Sequence, residues 1–431
     1  MNSKLTEKTS EKLIVSKMAE NLIGSEIIKL ASEVAAKIKN GEKIYNLTIG
    51  DFNPKIFPIP VELKQEIIKA YQNEETNYPP ANGIAELRQA VSSFIKRYIK
   101  LEYSAEEVLI AGGARPLIYA TYKALIDPGD TVLFPVPSWN NNHYCHLSEA
   151  QQVFIETKAE NNFMPTAEEL KPYIGKAQML ALCSPLNPTG TTFSKEGLKE
   201  ICELVIEENK RRSSGEKPLY ILYDQIYWAL TYGNTKHFDP VSLYPELRDY
   251  TIFIDGLSKA FAGTGVRVGW AFGPQRIIDK MKSILGHVGA WAPKAEQIAS
   301  ANYLNNIEKS EEFLTSFRAQ LQQRLEGYYA GFLKLKEDGF EVDAIAPQAA
   351  IYLTVQLNLH GYSTSENKVL ATTRDITKYI LDEAKIAIVP FSAFGASEDS
   401  TWYRISVGTT AIQDIEGVIS NLRNVLINLK K

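Results

Sequence analysis

Lys259 stands in the run Asp255-Gly-Leu-Ser-Lys-Ala-Phe-Ala-Gly-Thr-Gly-Val-Arg267, directly after the apolar, strand-like residues 250–254. An amine there, beside Ser258 and an arginine eight residues on, can join an aldehyde as a Schiff base. It does so only when its ammonium can shed a proton, which burial and neighbouring positive charge promote. Taken alone, Lys259 would read as a solvated surface charge. Three other polar motifs change that reading: Gly112-Gly-Ala-Arg115 after 108–111, Asn187-Pro-Thr-Gly190 after 179–183, and Asp224-Gln-Ile-Tyr227 after 219–223. Each falls just past a short apolar run. In an open α/β sheet, ligand sites lie beyond the carboxyl ends of the strands. One shared site is therefore expected.

The elements that must position these residues can be read from periodicity. Strand candidates at 108–111, 131–134, 152–156, 178–183, 219–223, 250–254 and 268–272 alternate with helical patterns. That alternation predicts an α/β fold with a large domain whose mostly parallel seven-stranded sheet is covered by helices on both faces. Ile27, Leu30, Val34 and Ile38 predict a helix over 25–40, closed by Gly41; Leu63, Ile67 and Tyr71 predict a second, and Leu87, Val91 and Phe94 a third. Thr166 with Glu169 has the pattern of a capping box. Residues 211–218 read as a polar connection. Phe313, Phe317, Leu321, Leu325 and Tyr328 mark a long helix leading to an α+β region, with strands near 351–355 and 403–407 and a closing helix.

In their order, the motifs resemble those of pyridoxal-5′-phosphate (PLP) aminotransferases of the class I/II, aspartate-aminotransferase-like family (fold type I), from about Ile44 to Thr409. Ser-Lys alone carries almost no information. The ordered set, with Arg267 and Arg404 behind it, is specific. The resemblance implies that Lys259 carries PLP as a Schiff base and moves the substrate α-proton. It implies that Asp224 keeps the pyridine nitrogen protonated, and that Asn187 and Tyr227 bond the ring's phenolic oxygen. Gly113, Ala114 and Arg115, where a strand turns into a helix, would offer backbone N–H groups to the phosphate. Ser258 and Arg267 would add side-chain contacts. Trp139 would stack on the ring. Arg404, with Asn187 and the amide of Gly50, would hold the substrate carboxylate, for which a guanidinium fork is suited. Tyr78 matches a tyrosine that reaches the neighbouring subunit's phosphate, which implies a homodimer. Without the set, Asp224 would read as a cap, Tyr227 and Trp139 as core, Gly113 as a plain turn and Arg404 as a surface charge.

The implied architecture adds a smaller α+β domain built from both ends of the chain. The expected divisions are a flexible tail at 1–16, an N-terminal segment of the small domain at 17–60, a large cofactor domain at 61–309, and the linking helix with the C-terminal small domain at 310–431.

Some positions depart from the family pattern. Gly256 replaces a phosphate-binding hydroxyl, Arg115-Pro116 is bulky, Gln225 replaces an acidic residue, and Phe391 stands at a glycine-like place. Residues 286–293 offer no arginine for a distal carboxylate, only His287, with Lys294 just beyond. Trp228, Trp270 and Trp291 hint at an aromatic side-chain pocket but read equally as core. These departures leave the donor open among aspartate, aromatic and other amino acids, with a 2-oxoglutarate-like acceptor. Carbon–sulfur β-elimination or cyclopropane formation on the same fold is the alternative, and a ligand-sensing domain a more distant one.

The bulk properties agree. At 431 residues the chain suits two domains. A net charge of −4 argues against a nucleic-acid binder. Its 3 cysteines, without Cys-x-x-Cys spacing, point to reduced thiols and neither a disulfide framework nor a metal site. The polar, lysine-rich start carries no apolar signal core, and no stretch approaches the roughly 18 apolar residues needed to span a bilayer. A cytoplasmic protein using small amino and oxo acids, with no membrane partner, is expected.

Overall fold

The computed structural model describes residues 15–431 apart from Ile23 and Ser25. Most of the expected tail therefore lies outside the described residues. Its last residue, Ser16, accepts a hydrogen bond from the Ala19 amide and caps a short helix, Lys17–Glu20.

In chain order the strands are β1 Tyr45–Asn46, β2 Val108–Ala111, β3 Thr131–Val136, β4 Gln151–Glu156, β5 Ala177–Cys183, β6 Tyr220–Asp224, β7 Thr251–Gly256, β8 Gly269–Phe272, β9 Val342–Ala344, β10 Tyr352–Leu357, β11 Ile386–Ala387, β12 Val389–Pro390 and β13 Trp402–Ser406. Seven form one sheet in the order β2-β8-β7-β6-β5-β3-β4. Only β8 runs against its neighbours. Several of these strands are near-continuous apolar runs because the sheet is covered on both faces. Successive residues feed opposite cores. Ile110, Leu180, Leu182, Ile221 and Phe253 pack with helices Ala85–Ile99, Lys195–Arg211 and Lys294–Asn305. Leu109, Met179, Ala181, Leu222 and Ile254 pack with helices Ala114–Leu125 and Gln275–Val288.

The second sheet, β12-β13-β10-β9, is antiparallel and has its own core. The N-terminal segment completes this smaller unit: β1 pairs in parallel with β11, and Val34 of helix Glu26–Lys39 packs on Leu381 and Ala387. Helix Ile307–Glu337 joins the two units. Its Leu314 belongs to the large-sheet core, whereas Phe317 through Leu335 belong to the small-sheet core.

All seven large-sheet strands lie where periodicity puts them, with β3 running two residues further and β7 continuing to Gly256. Thr166 and Glu169 exchange both bonds of the capping box: the Glu169 amide donates to Thr166 Oγ1 at 3.2 Å, and the Thr166 amide to Glu169 Oε2 at 2.9 Å. Arg211 belongs to the end of a helix and not to the connection that follows, because its guanidinium is tied to the buried Glu208 one turn back.

Candidate active site

The carboxyl ends of β2, β3, β5, β6 and β7 meet β13, β10 and the segment after β1 around a cavity of about 650 Å³. Gly50, Ala114, Arg115, Trp139, Asn187, Asp224, Tyr227, Ser258, Lys259, Arg267 and Arg404 all line it. Gly113 and Tyr78 do not.

Glycines bring these strand ends together. A Cβ on Gly256 would lie 2.8 Å from Gly269 Cα, and one on Gly269 would lie 2.6 Å from the Gly113 carbonyl carbon. Gly256, Gly269 and Gly113 thus form a column across β7, β8 and the end of β2. Close approach of these backbones explains the glycine at 256. Gly113 itself has φ +99° and would place a Cβ 2.3 Å from Arg267 Nη2. Its amide already donates to the Ala111 carbonyl at 2.7 Å, so it makes the turn, and the amides of Ala114 and Arg115 open helix Ala114–Leu125. Arg267 is held beside that opening by bonds to the carbonyls of Thr264 and Gly112, each 2.8 Å.

The Asn187-Pro-Thr-Gly190 loop is pressed onto β10. Gly190 has φ +71°, and a Cβ there would lie 2.2 Å from the Tyr352 carbonyl oxygen. Asn187 Oδ1 accepts from Arg404 Nη1 at 3.0 Å, and Arg404 Nη2 donates to the Thr48 carbonyl at 2.6 Å. The guanidinium is packed by the Tyr352 and Phe394 rings, 4.7 and 4.8 Å from their centroids. Its Nε has no partner among the described residues, although Arg404 is only 2% exposed. Burial holds its proton affinity below the usual arginine value.

Lys259 occupies a short helical turn, Leu257–Ala260, and its Nζ donates to the Gly50 carbonyl at 2.7 Å. Thus the carbonyl of Gly50, not its amide, is what faces the lysine. Loss of water pulls the amine down to about 8, with Arg404, Arg115 and Arg267 adding to the shift and Asp51 opposing it. Asp224, the last residue of β6, is pushed up to about 6 by burial, against the Ile226 amide and the Lys259 charge. The Tyr227 and Tyr352 hydroxyls are 2.6 Å apart. Arg115 does fold over the site: its guanidinium lies 5.4 Å from the Trp139 ring centroid.

Tyr352, Thr48 and Asn141 also line the cavity and are not among the residues that the sequence singles out. Tyr352 is hidden in the apolar run of a strand, and its only signal is a hydroxyl at that strand's first residue. The tryptophan hint fails. Trp270 is buried in the large-sheet core, Trp228 donates its indole N–H to Asp255 at 2.8 Å, and Trp291 packs edge-on against Tyr78; none lines the cavity. Lys294 is tied to Asn77 and Glu75, also away from it. Phe391 fills its glycine-like place as a buried contact of Phe163, 5.0 Å between centroids. Gln225 is fully buried, 3.2 Å from His237 Nε2.

This donor set fits PLP and an amino acid. The open amides of a helix start with Arg267 suit a phosphate, the second oxygen of Asp224 suits a protonated ring nitrogen, and the unpartnered Nε of Arg404 suits a carboxylate. The sequence profile described as "Aminotransferase class I and II" matches residues 42–422. The chain belongs to that family.

The aspartate aminotransferase of Bacillus sp. (strain YM-2) is 30% identical over 383 residues, 88% of this chain and 92% of its own. The crystal structure of the Rhizobium meliloti aspartate aminotransferase superposes with a TM-score of 0.89 at 27% identity, covering 97% of this chain and all of the other. The Thermus thermophilus aspartate aminotransferase with maleate gives 0.84 at 25% identity, covering 96% and 100%. This aminotransferase is a PLP-dependent transaminase acting on small amino and oxo acids. The comparisons favour transamination over elimination or cyclopropane formation. Among the described residues no helix is long and apolar enough to cross a membrane.

Proposed function

We propose that this transaminase takes an acidic, aspartate-type amino acid as donor and a 2-oxoglutarate-like oxo acid as acceptor. One observation carries the proposal: Arg115 projects over Trp139 into the cavity and has no carboxylate partner among the described residues. With Arg404 assigned to the α-carboxylate and Arg267 to the phosphate, Arg115 is the cation left for a distal carboxylate. The names of the relatives support the same donor.

PLP, when bound, supplies an aldehyde for the lysine and a ring that withdraws electrons from the substrate α-carbon. The protein's part is to bind, orient and move protons. Lys259 Nζ, with its proton affinity lowered by desolvation, would take the proton from the substrate α-carbon and hold it for return. Asp224 would keep a proton on the pyridine nitrogen. Asn187 and Tyr227 would bond the phenolic oxygen, and Trp139 would cover the ring. The amides of Ala114 and Arg115, with Ser258 and Arg267, would hold the phosphate, and Gly113 sets the turn. Gly50 and Arg404, the latter joined to Asn187, define the substrate end. Burial of these groups limits water and side reactions.

A homodimer fits the position of Tyr78, which is 81% exposed and lies away from its own cavity, free to reach a partner's phosphate. The separate cores support division near residues 60 and 310. A role in amino-acid biosynthesis in the cytoplasm extends the transaminase reading.

The test mixes the PLP-loaded enzyme with single amino acids and no acceptor. Conversion of bound PLP to its amine form, with one equivalent of oxo acid released from aspartate, supports the proposal. Arg115→Gln should then lose about tenfold or more for aspartate and little for an aromatic donor. Equal loss for both donors would remove Arg115 from side-chain recognition.

A further inference from the structure

The two hydroxyls of Tyr227 and Tyr352 lie 2.6 Å apart and both residues are buried. Burial keeps both phenols protonated. Two protons must therefore be placed on two oxygens, and only one can lie between them. Tyr352 opens β10, with its hydroxyl packed so closely on Gly50 that a Cβ there would sit 2.7 Å away. No acceptor other than Tyr227 bonds the Tyr352 hydroxyl among the described residues. Both residues line the cavity, but only Tyr227 is assigned to the phenolic oxygen of PLP. A buried hydroxyl donates where an acceptor exists, so with the phenolic oxygen of PLP taking the Tyr227 proton, the one between the pair would fall to Tyr352.

We propose that Tyr352 is a positioning residue: it donates to Tyr227 and so leaves the Tyr227 proton directed at the phenolic oxygen of bound PLP. The inference rests on the reading that Lys259 carries PLP and that Tyr227 meets that oxygen. A donor on the oxygen drains its negative charge, which weakens its hold on the proton of the nitrogen joining Lys259 to PLP. Donation from Tyr352 polarises Tyr227 and strengthens this effect. The charged or titratable groups around the pair are Arg404, Cys183 and Asp51, with Lys259 5.6 Å from the Tyr227 ring centroid.

The test follows the visible absorption of the PLP-loaded enzyme against pH in the wild type, Tyr352→Phe, Tyr227→Phe and the double variant. Tyr352→Phe should raise the midpoint by about half a pH unit, the scale of part of one hydrogen bond. In the Tyr227→Phe background the same change should do nothing, because the route through Tyr227 is gone. Thermal melting of the PLP-free proteins separates this effect from loss of fold.

A fall in the midpoint of Tyr352→Phe means that Tyr227 donates to Tyr352, and overturns the inference. So does an unchanged midpoint, or a shift that persists without the Tyr227 hydroxyl. Absence of any borohydride-sensitive band in the loaded wild type would overturn the Lys259 reading itself, a failure distinct from those.

Discussion

Arg404 of β13 and Asn187 beyond β5 are joined across the two sheets, Nη1 to Oδ1, at 3.0 Å. The residue assigned to the substrate carboxylate and one assigned to the PLP ring therefore share a bond. Turning Asn187 would cost Arg404 a partner.

Arg404→Lys keeps the charge but loses the fork, its bond to Asn187 and the planar face packed by two aromatic rings. We expect kcat/KM for amino acids to fall about 10–100-fold, the loss of one or two charge-assisted bonds. Half-reaction kinetics over a range of donor concentrations measures this. Retention of wild-type kcat/KM would mean that the carboxylate binds elsewhere.

The lowered proton affinity of Lys259 has a cost that can be measured without PLP. Its folded value of about 8 lies below the ordinary 10.5. Between these values the unfolded chain binds more protons, so stability rises with pH across that window; below about 8 the full penalty applies. At pH 7, PLP-free Lys259→Met should be more stable than the wild type by up to about 3 kcal/mol, and the gap should close as the pH passes from 8 to 10.5. Urea unfolding at several pH values reads both. A gap independent of pH would place its origin in packing.

Gly269→Ala sets a methyl group against the Gly113 backbone, which no side-chain rotation can relieve. The loss should exceed about 2 kcal/mol, and PLP affinity should fall with it, since the same contact fixes the start of helix Ala114–Leu125. Melting temperature and PLP titration check the two effects together.

Tyr78→Phe removes a hydroxyl from an exposed side chain, so monomer stability should change by no more than about 0.5 kcal/mol. If the hydroxyl reaches a partner's phosphate, PLP should dissociate several-fold faster, and dilution to monomers should abolish the difference. Analytical ultracentrifugation beside PLP release measures this.

The large sheet was legible because strands covered on both faces become apolar runs, and because the loop motifs follow their ends directly. Lys259, Asp224 and Asn187 were found that way. Tyr352 was not, since a strand tyrosine looks the same whether it meets core or cleft; only its neighbour Tyr227, 125 positions away, gives it a role. Gly256 read as a missing hydroxyl because the reason for a glycine lies in Gly269, on another strand. The two-residue β1 and β11 are too short to carry a period. Trp228 and Trp270 misled for the opposite reason: large aromatic residues near a site in sequence were packed behind it.

Helix Ile307–Glu337 begins in one core and ends in the other across 31 uninterrupted residues. Such a rod transmits torque and resists bending. Any gaping of the cleft must therefore pivot where the rod's ends are seated, and deuterium uptake along its middle turns should stay slow even while the surrounding loops exchange freely.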